Sequence, residues 1–330
     1  MSLMSFPAAA GHTHMTISTD EAAFTDQLQR HHRELHLHCY RMLGSFHDCE
    51  DAVQETFLRA WRSRSTFAGR SSLRAWLYKI ATNACLDALD KRPRVPVSGE
   101  VSWLEPYPDE LLEELASPSQ DEPDATVVDR ETIELAFLTA MQHVAPLPRA
   151  VLILRDVLDC SAAETAELLE TTVASVNSAL QRARAGMREH LPERRLDWAP
   201  GTDATAAERE LLERYVDTCE RADARGVAEL LHEDLRFSMP PQPGIWEGRD
   251  RVVQSWVDGG FGAESFGSMR CVVTRANRQP AVACYVRRPG DDAAAPLAFD
   301  VLRIQEGMIA EIVTFGPEVF AAFNLPAAVA

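Results

Sequence analysis

Two consecutive segments in the first third of the chain have apolar residues at helical spacing, and they limit the folds that the chain can adopt. The first segment, residues 50–63, carries its apolar side chains at steps that place them in one stripe on a helix: Val53, Phe57, Ala60 and Trp61. A loop containing Gly69 follows, as expected where a helix ends. Helical spacing of apolar residues then resumes over residues 73–86. We therefore expect two packed helices joined by a glycine-containing loop.

The faces opposite these apolar stripes carry polar side chains able to bind a partner. On the first helix these side chains form specific ion pairs or hydrogen bonds, and they are Asp51, Gln54, Glu55, Arg59 and Arg62. On the second helix the polar residues are mostly basic, and they are Arg74, Lys79, Asn83, Asp87, Lys91 and Arg92. An acidic helix is thus followed directly by a basic, aromatic-bearing one.

The segment DAVQETFLRAW, followed by FAGRSSLRAWLYKIATN, resembles region 2 of the extracytoplasmic-function (ECF) sigma factors of bacterial RNA polymerase. The resemblance extends from about Arg30 to Arg92 and keeps the order and spacing of the acidic helix, the loop and the basic helix. It implies docking on the clamp helices of the largest polymerase subunit by Asp51, Gln54, Glu55, Arg59 and Arg62.

The same resemblance implies that the loop and the second helix bind the minus-ten promoter element. The loop from Phe67 to Ser72 would capture an unstacked base, and the basic residues would hold the DNA backbone. The full set implied is Phe67, Arg70, Ser71, Ser72, Arg74, Trp76, Lys79, Asn83, Lys91 and Arg92.

The charge of the chain is unusual for a DNA-binding protein. Its 330 residues carry a net charge of −17, whereas phosphate neutralisation supplies most non-specific DNA affinity. The acidic residues are concentrated in residues 100–134, and arginines cluster in residues 59–74 and 182–195. Local basic surfaces therefore survive, and weak affinity for free DNA suits a subunit that binds promoters only on polymerase.

Length and composition indicate a multidomain globular protein. A chain of 330 residues, 46% hydrophobic and 25% charged, is expected to form two or three domains with ordinary cores. We find no run of eighteen apolar residues and no signal-peptide pattern. Seven scattered cysteines without a C-x-x-C pair fit reduced thiols. We expect a cytoplasmic protein that does not bind a membrane.

The N-terminal segment is expected to divide at residue 20. Residues 1–19 lack periodicity and are predicted to form a disordered tail, and residues 20–44 are predicted to form one helix. Within that helix His32 and His36 have the spacing of a helical metal pair. No third ligand is evident nearby, so we favour packed or solvated histidines, with neither metal nor cofactor. Region 2 would occupy residues 20–95.

Residues 96–128 read as an acidic linker that is unusually apolar. Prolines and acids argue for a tether, yet Trp103, Leu104, Tyr107, Leu111, Leu112 and Leu115 are too apolar for a purely solvated one. Two interpretations are equally supported. The apolar residues pack on an adjacent domain, or the linker threads a polymerase channel or masks a basic surface.

Residues 129–192 are predicted to form a second helical domain that ends in a helix-turn-helix. Helices are expected from residue 129, over residues 149–158 and, after a capping box at Ser161 and Glu164, to about residue 169. Thr171 or Thr172 then caps a final helix over residues 173–190. The short turn and shared apolar positions are typical of a helix-turn-helix.

The outward residues of the final helix can contact bases and phosphates. The segment LPRAVLILRDVLDCSAAETAELLETTVASVNSALQRARAGM resembles region 4 of the same sigma family, which reads the minus-thirty-five element. Amide and guanidinium groups can form bidentate contacts with base edges. The candidate residues are Ser175, Asn177, Ser178, Gln181, Arg182, Arg184 and Arg188.

After a polar linker at residues 193–204, residues 205–330 change character. Helices are predicted over 206–224 and 227–231, and strands over 269–275, 281–288, 298–305 and 308–315. This order indicates an α+β domain with an antiparallel sheet. The segments LLHEDLRFSMPP and WEGRD resemble the SnoaL-like group of the nuclear-transport-factor cone fold, which occurs as an appendage on a sigma subgroup.

The cone fold often encloses a pocket. Candidate pocket residues are His232, Trp246, Trp256 and Asp300. Other acid-base candidates are Asp234, Asp258 and Glu311, but no spacing singles out a reaction, so we do not expect an enzyme. The resemblance implies that the domain controls the sigma module in cis, with a small molecule as a possible ligand.

The favoured function is therefore a sigma factor whose partners are core polymerase, through its clamp helices and flap, and promoter DNA. The expected fold class is two all-α domains followed by an α+β cone. Two alternatives remain open: a polyketide-cyclase-like or isomerase-like enzyme fused to a helix-turn-helix module, and a repressor that acts without polymerase.

Overall fold

The computed structural model describes residues 21–67, 72–92, 104–116, 135–190, 205–242 and 244–329. The predicted N-terminal tail, both ends of the acidic linker and the linker at 193–204 lie outside these residues. The first module, residues 21–92, contains α1 (Glu21–Arg30), α2 (His32–Leu43), α3 (Phe46–Ser63) and α4 (Leu73–Lys91). The proposed domain boundaries stay predictions.

The two predicted helices of the first module are confirmed, with defined starts. The Ser45 hydroxyl accepts a hydrogen bond from the backbone N–H of Asp48, and Ser72 does the same for Ala75, so each serine satisfies a free donor at a helix start. The prediction of one helix over residues 20–44 is wrong. The N–H of His31 bonds to the carbonyl of Leu28, one residue short of the α-helical step, and this divides α1 from α2.

Part of the predicted linker is folded against other modules. This connecting segment, residues 104–116, runs extended to Pro108 and then forms α5 (Asp109–Ala116). Leu104, Tyr107 and Leu112 are buried in the core that includes the first module. The interpretation that the apolar residues of the linker pack on an adjacent domain is confirmed for these three. Their burial is favourable because it removes apolar surface from water.

The second module, residues 135–190, forms the predicted helix-turn-helix. It contains α6 (Leu135–His143), α7 (Pro146–Leu152), α8 (Ala162–Leu168) and α9 (Val173–His190). The capping box at Ser161 and Glu164 is confirmed, and Thr172 caps α9 through the N–H of Ser175. The predicted helix over residues 149–158 starts earlier, at Pro146, where a missing N–H costs nothing, and it ends in a π-helical turn, Ile153–Val157.

The third module, residues 205–329, is the predicted α+β unit. Its helices are α10 (Ala206–Glu220), α11 (Ala224–Leu230) and α12 (Arg249–Asp258). Its strands are β1 (Leu231–Ser238), β2 (Ile245–Glu247), β3 (Ser268–Ala276), β4 (Gln279–Arg287), β5 (Ala295–Gln305) and β6 (Met308–Phe315). The strand order β2-β1-β6-β5-β4-β3 forms one sheet.

The sheet differs from the prediction in one respect. Strands β1 and β6 pair in parallel, so the sheet is mixed and not purely antiparallel. The predicted strand ranges did not include β1 or β2. The register of β1 shifts between Leu231 and Arg236, and this bulge interrupts the alternation of buried and exposed side chains that identifies a strand from sequence.

The two faces of the sheet serve different cores. One face packs with α10, α11 and α12 around residues that include Tyr215, Val282, Leu302 and Ile312. The other face carries Tyr285 and Phe299 and belongs to the core that continues through Tyr107 into the first module. The third module therefore shares a hydrophobic core with the first. Among the described helices, none is long and apolar enough to cross a membrane.

Two histidines of α2 are buried, and His38 gives a pH-dependent prediction. Its Nε2 lies 2.9 Å from the Thr82 hydroxyl, which itself donates to the carbonyl of Tyr78, so Nε2 carries the proton and donates. Burial and the charge of Arg41 lower the pKa of His38 to about 3.

Because the pKa of His38 is lower in the folded than in the unfolded protein, stability should be fully present above about pH 6.5 and fall as the pH drops towards 3. The slope from one such histidine approaches about 1.4 kcal/mol per pH unit. Urea unfolding of wild type and His38→Gln, which keeps a donor towards Thr82, should show a shallower acid slope in the variant. The exposed His47→Gln is the control, and equal slopes in all three proteins would contradict this assignment.

Candidate functional site

The outward face of α3 is accessible to a partner. Asp51, Gln54 and Arg62 are exposed. Glu55 and Arg59 are partly buried, and the Arg59 guanidinium bridges Glu55 at 2.7 Å and Asp87 of α4 at 2.8 Å. The structure thus brings all five predicted polymerase-binding residues to one side of the first module. It also gives Arg59 a second task, which is to tie α3 to α4.

This face contains one apolar residue that the sequence analysis did not include. Leu58 is 51% exposed, four residues after Gln54 and four before Arg62. A leucine off the apolar stripe of its helix was the available signal. Single exposed apolar side chains are common on protein surfaces, so Leu58 adds to a binding face only together with the polar residues around it.

The minus-ten candidates lie along the start and outer side of α4. The rings of Phe67 and Trp76 pack with centroids 5.1 Å apart, so the loop's aromatic residue rests on the helix. Ser72 caps α4, while Lys91 is exposed and Asn83 is partly buried. Arg70 and Ser71 lie outside the described residues.

Three predicted phosphate contacts are occupied by carboxylates of the chain itself. Arg74 Nε lies 2.7 Å from Glu34, and Arg92 pairs with Asp48. Lys79 Nζ lies 2.8 Å from Glu170 in the turn of the helix-turn-helix. Arg74 is further held over the ring of Tyr78, 5.1 Å from its centroid. The basic surface is therefore partly neutralised, and in the case of Lys79 this comes from the second module.

The carboxylate that pairs with Arg74, that of Glu34, also contacts His31 and Tyr78. Its Oε1 contacts His31, and its Oε2 accepts hydrogen bonds from Arg74 and, at 3.1 Å, from the Tyr78 hydroxyl. Burial opposes ionisation, but the hydrogen bond from His31 and the charge of Arg74 together lower the pKa of Glu34. Glu34 therefore stays ionised and fixes the direction of Arg74.

The recognition helix α9 presents its predicted residues to solvent. Ser175, Asn177, Ser178, Gln181, Arg182 and Arg188 are all exposed. Arg184 is also exposed, but both its Nε and Nη2 donate to the Asp156 carboxylate, at 2.9 and 2.7 Å. This bidentate pair connects α9 to the π turn after α7.

The first and second modules meet at a buried guanidinium. Arg149 is 3% exposed and donates to the backbone carbonyl of Met42 at the end of α2, to the carbonyl of Val144 and to the side chain of Gln142. The Gln142 Nε2 in turn donates to the carbonyl of Arg41, at 3.3 Å. Carbonyls left free at the end of α2 are thus satisfied by the second module.

The connecting segment inserts Tyr107 into an aromatic pocket of the first module. The Tyr107 ring lies 4.7 Å from Tyr40, 5.5 Å from His36 and 5.5 Å from Phe46, measured between centroids. Its hydroxyl lies 2.9 Å from Nδ1 of His36. Burial and the charge of His32 lower the pKa of His36 to about 4. Neutral His36 can accept from Tyr107 at Nδ1 and donate from Nε2 to Glu50, 3.0 Å away.

Asn277 of the third module contacts both Tyr107 and Tyr40, and we call the contacts among these three residues the junction. It lies at the tip of the β3–β4 hairpin with φ of 54°, and Arg278 beside it has φ of 63°, as a type I′ turn requires. Asn277 Oδ1 accepts from the N–H of Tyr107 at 2.8 Å, and the N–H of Asn277 donates to the carbonyl of Tyr107 at 2.9 Å. Its Nδ2 donates to the Tyr40 hydroxyl at 2.9 Å. One fully buried side chain thus joins three segments.

Two carboxylates of the connecting segment strengthen its placement. Asp109 accepts from Nε of Arg275 at 3.1 Å and from the N–H of Arg278 at 2.7 Å. Glu105 accepts from the N–H of His47 at 2.9 Å and from the Ser45 hydroxyl at 3.1 Å, where α3 begins. A helix start favours negative charge, so Glu105 is a second cap of α3 supplied from outside the helix.

The sequence analysis did not identify the junction residues Tyr107 and Asn277 as functional. An asparagine followed by a second residue between two alternating runs was a signal for the turn. No local pattern could indicate which segment the turn contacts, because Tyr107 and Asn277 are 170 residues apart.

The four predicted pocket residues of the third module fall into separate groups. Trp246 and Trp256 pack on Phe237, with centroids 5.7 and 5.6 Å away. Asp300 is buried and accepts from the Thr314 hydroxyl at 2.6 Å and the Tyr215 hydroxyl at 3.2 Å. Burial raises the pKa of Asp300, although these two hydrogen bonds oppose the shift.

His232 is not brought next to Asp300. It lies at the start of β1, and Nδ1 of its ring accepts from the N–H of Asp234, at 3.2 Å. The neighbouring Leu231 pairs with Ile309 of β6, whereas Asp300 pairs with Thr314. These two positions on β6 are five residues apart, which is roughly 17 Å along the strand.

The module does contain a cavity of about 220 Å³. It lies where β1 and β6 end and β5 begins, and it is lined by Met239, Pro240, Pro241, Gln242, Leu297, Ala298, Thr314, Phe315, Gly316 and Glu318. Asp300 lies behind Thr314, its hydrogen-bond partner. Within the described residues we find no group of three or more His, Cys, Asp or Glu side chains placed to hold a metal ion.

Comparisons with known proteins agree with this three-module arrangement. The family model for Sigma-70 region 2 matches residues 28–95, that for Sigma-70, region 4 matches residues 134–187, and that for the SnoaL-like domain matches residues 212–312. The modules thus define a sigma-type protein with a SnoaL-like appendage.

Full-length relatives identify the family. The chain is 40% identical over 321 residues to the ECF RNA polymerase sigma factor SigG of Mycobacterium tuberculosis, covering 92% of this chain and 84% of the relative. It is 28% identical over 221 residues to SigJ of the same species, covering 65% and 66%. The chain belongs to the ECF family of RNA polymerase sigma factors.

A solved structure shares the fold across all three modules. The crystal structure of the Mycobacterium tuberculosis extracytoplasmic function sigma factor SigJ aligns with a TM-score of 0.56 and 22% identity, covering 93% of this chain and 100% of that one. The succession of helical modules and a mixed sheet is therefore an arrangement that also occurs in this family member.

The junction predicts that Asn277 controls how firmly the connecting segment is held. Asn277→Gly keeps the positive φ without strain but removes the two hydrogen bonds that its side chain makes with Tyr107 and Tyr40. The Tyr107 N–H then has no acceptor, whereas the Tyr40 hydroxyl still donates to the Glu105 carbonyl. Leaving the buried Tyr107 N–H unsatisfied costs about 1–3 kcal/mol. Amide hydrogen exchange at residues 104–112 should accelerate by about tenfold or more in the variant. Asn177→Gly, on the exposed face of α9, is the control, and equal exchange in both variants would contradict the role of Asn277.

Proposed function

We propose that this sigma factor binds polymerase through α3, the minus-ten element through α4 and the minus-thirty-five element through α9. We also propose that its third module regulates these activities in cis. The observation that carries the regulatory part is the junction of Tyr107 with Tyr40 and Asn277. It joins the third module to the region that binds polymerase and promoter. As a polymerase subunit, the protein would act in the cytoplasm.

The polymerase surface is proposed to centre on Leu58. The exposed Asp51, Gln54 and Arg62 surround this leucine on α3. Binding energy in protein interfaces concentrates in a few central residues within a polar rim. Docking on the clamp helices of the largest polymerase subunit, which the family resemblance implies, would bury this patch.

The described conformation is proposed to be closed to promoters. The names of the two promoter elements place them about 25 base pairs apart, which is roughly 85 Å at about 3.4 Å per base pair. In the structure, Lys79 of the minus-ten surface contacts Glu170 of the helix-turn-helix at 2.8 Å. Both elements cannot be read while these surfaces touch, so the first and second modules must separate on polymerase.

The contacts that maintain the closed form contribute unequally to its stability. Glu170 is exposed and Lys79 only partly buried, and ion pairs screened by water contribute little to stability. The hydrogen bonds of Arg149 and Gln142 are buried and leave unsatisfied groups if broken. We infer that the buried contacts hold the modules together and that the exposed pair mainly shields Lys79 from phosphates.

The third module is proposed to act through the connecting segment. Glu105 caps α3, Tyr107 fills the pocket on α2, and Asp109 pairs with the β3–β4 hairpin. A change in the third module therefore reaches the helix that carries the polymerase surface. A small molecule in the cavity beside Thr314 is one way to shift the balance of closed and open forms.

Two other functions are distinguishable. An enzyme fused to a DNA-binding module would use the Asp300 cluster, because a buried carboxyl with hydroxyl partners is a common acid-base group. A polymerase-independent repressor would bind duplex DNA through α9 alone. Neither would require the exposed patch on α3, whereas a sigma factor would.

We expect substitutions on the α3 patch to weaken binding to core polymerase. Leu58→Ala, and separately Asp51→Ala with Gln54→Ala, should raise the Kd for core enzyme by about fivefold or more, since a residue central to an interface that contributes about 1 kcal/mol changes Kd by about that factor. Fluorescence anisotropy with labelled protein measures the affinity, and run-off transcription should fall in parallel. Asp90→Ala, exposed on α4, serves as the matched control. Unchanged affinity in both patch variants would exclude this docking face.

Opening of the closed form gives a second prediction. Gln142→Ala removes the hydrogen bonds to the Arg41 carbonyl and to Arg149, each worth about 1 kcal/mol. The radius of gyration measured by small-angle X-ray scattering should increase, and promoter affinity on polymerase should rise severalfold. Gln254→Ala, exposed on α12, should change neither. A variant that expands without any gain in promoter binding would disprove the inhibitory role of closure.

A further inference from the structure

Three thiols meet inside the third module, away from the surfaces discussed so far. Cys271 on β3 and Cys284 on β4 are directly opposite in the antiparallel register, and their Sγ atoms lie 3.8 Å apart. Cys219 on α10 belongs to the same cluster and packs over β3. All three are free thiols.

The backbone already has the geometry of a disulfide at this pair. Directly opposite residues in an antiparallel sheet have Cα atoms about 4.5–5.5 Å apart. A disulfide spans Cα separations of about 4.4–6.8 Å. Rotation of the two side chains can therefore bring the sulfurs to bonding distance while the strands stay in place.

The two thiols differ in access. Cys284 is 3% exposed, and its hydrogen bond with Cys271, together with burial, raises its pKa, so it stays protonated. Cys271 is partly exposed at the side of β3 and is the sulfur that a small oxidant reaches first. We propose that Cys271 and Cys284 form a reversible cross-strand disulfide when the protein meets hydrogen peroxide.

The reaction has two steps. The Cys271 thiolate attacks a peroxide oxygen, an S–O bond forms as the O–O bond breaks, and the departing hydroxide becomes water with the proton that Cys271 released. Cys284 then attacks the sulfenic sulfur of Cys271, the S–S bond forms as the S–O bond breaks, and a second water leaves with the proton of Cys284. Two thiols lose two electrons and one peroxide is reduced to two waters.

A nearby carboxyl can assist the second step. Cys284 Sγ lies 3.9 Å from Oδ2 of Asp300, within the range of a sulfur hydrogen bond. The buried Asp300 can take the proton of Cys284 as the sulfur attacks and pass it to the departing oxygen. The Tyr215 and Thr314 hydroxyls keep the carboxyl aligned.

The proposed bond would connect the two strands that carry the junction. Cys271 and Cys284 lie on the stem of the hairpin whose tip is Asn277. Disulfides in reducing compartments are usually transient and respond to oxidants. The site would therefore add an oxidant-sensitive element to the arm that holds the connecting segment.

Mass spectrometry of the full-length protein tests the proposal directly. The protein is treated with hydrogen peroxide, free thiols are alkylated, and trypsin is added. Cleavage after arginine places Cys271 in residues 271–275, Cys284 in residues 279–287 and Cys219 in residues 215–221. We expect the first two peptides to appear joined, two hydrogens lighter than their sum, and to separate after treatment with dithiothreitol.

The wild-type result alone decides the proposal, and variants define its specificity. Cys284→Ser should leave Cys271 as a sulfenic or more oxidised acid, whereas Cys160→Ser, in the second module, should leave the linked peptides unchanged. Full alkylation of both peptides after peroxide would overturn the proposal. So would a link from Cys271 to Cys219, which would name a different pair, or oxidation of Cys271 without any link in the wild type.

Discussion

The arrangement of this sigma factor depends on how one short segment is buried. Tyr107 fills an aromatic pocket between α2 and α3, and its backbone is satisfied on both sides by Asn277. A buried peptide group without such partners would cost about 1–3 kcal/mol for each unsatisfied atom. The hairpin tip therefore satisfies the backbone N–H and carbonyl of Tyr107, as a neighbouring strand does in a sheet. Without it, we expect the segment to be held less firmly, although the burial of Leu104, Tyr107 and Leu112 still favours its place in the core.

Ion pairs within the chain partly neutralise the surfaces that we propose bind promoter DNA. Arg74, Arg92 and Lys79 each lie against a carboxylate of the chain. These carboxylates compete with phosphates for the same cations, so intrinsic affinity for free DNA is reduced. Polymerase would shift this competition by holding promoter DNA close and by separating the modules. The charge of −17 thus describes the chain as a whole, whereas binding is decided by local pairs.

Closure of the modules and binding of the connecting segment act on the same helix. Arg149 satisfies the end of α2 from the second module, while Tyr107 packs against the middle of α2. Glu105 completes the start of α3, the helix with the exposed Leu58 patch. In the proposed function, the third module would act on the α3 and α4 surfaces through the connecting segment, which it holds in place by Asn277.

The local elements and the family could be predicted from the order of residues. Periodicity placed α3, α4, α8 and α9, the capping box at Ser161 and the cap at Thr172 were predicted, and the strands β3 to β6 were found within a few residues. These features depend on neighbours in the chain, which is why local rules capture them. Four features became visible only in the folded chain: the break at His31, the bulged β1 with its parallel pairing, the separation of His232 from Asp300, and the junction of Tyr107 with Asn277. The break at His31 depends on a hydrogen bond shifted by one position, and the other three features depend on contacts between residues far apart in sequence. Neither kind of interaction leaves a pattern in the order of residues.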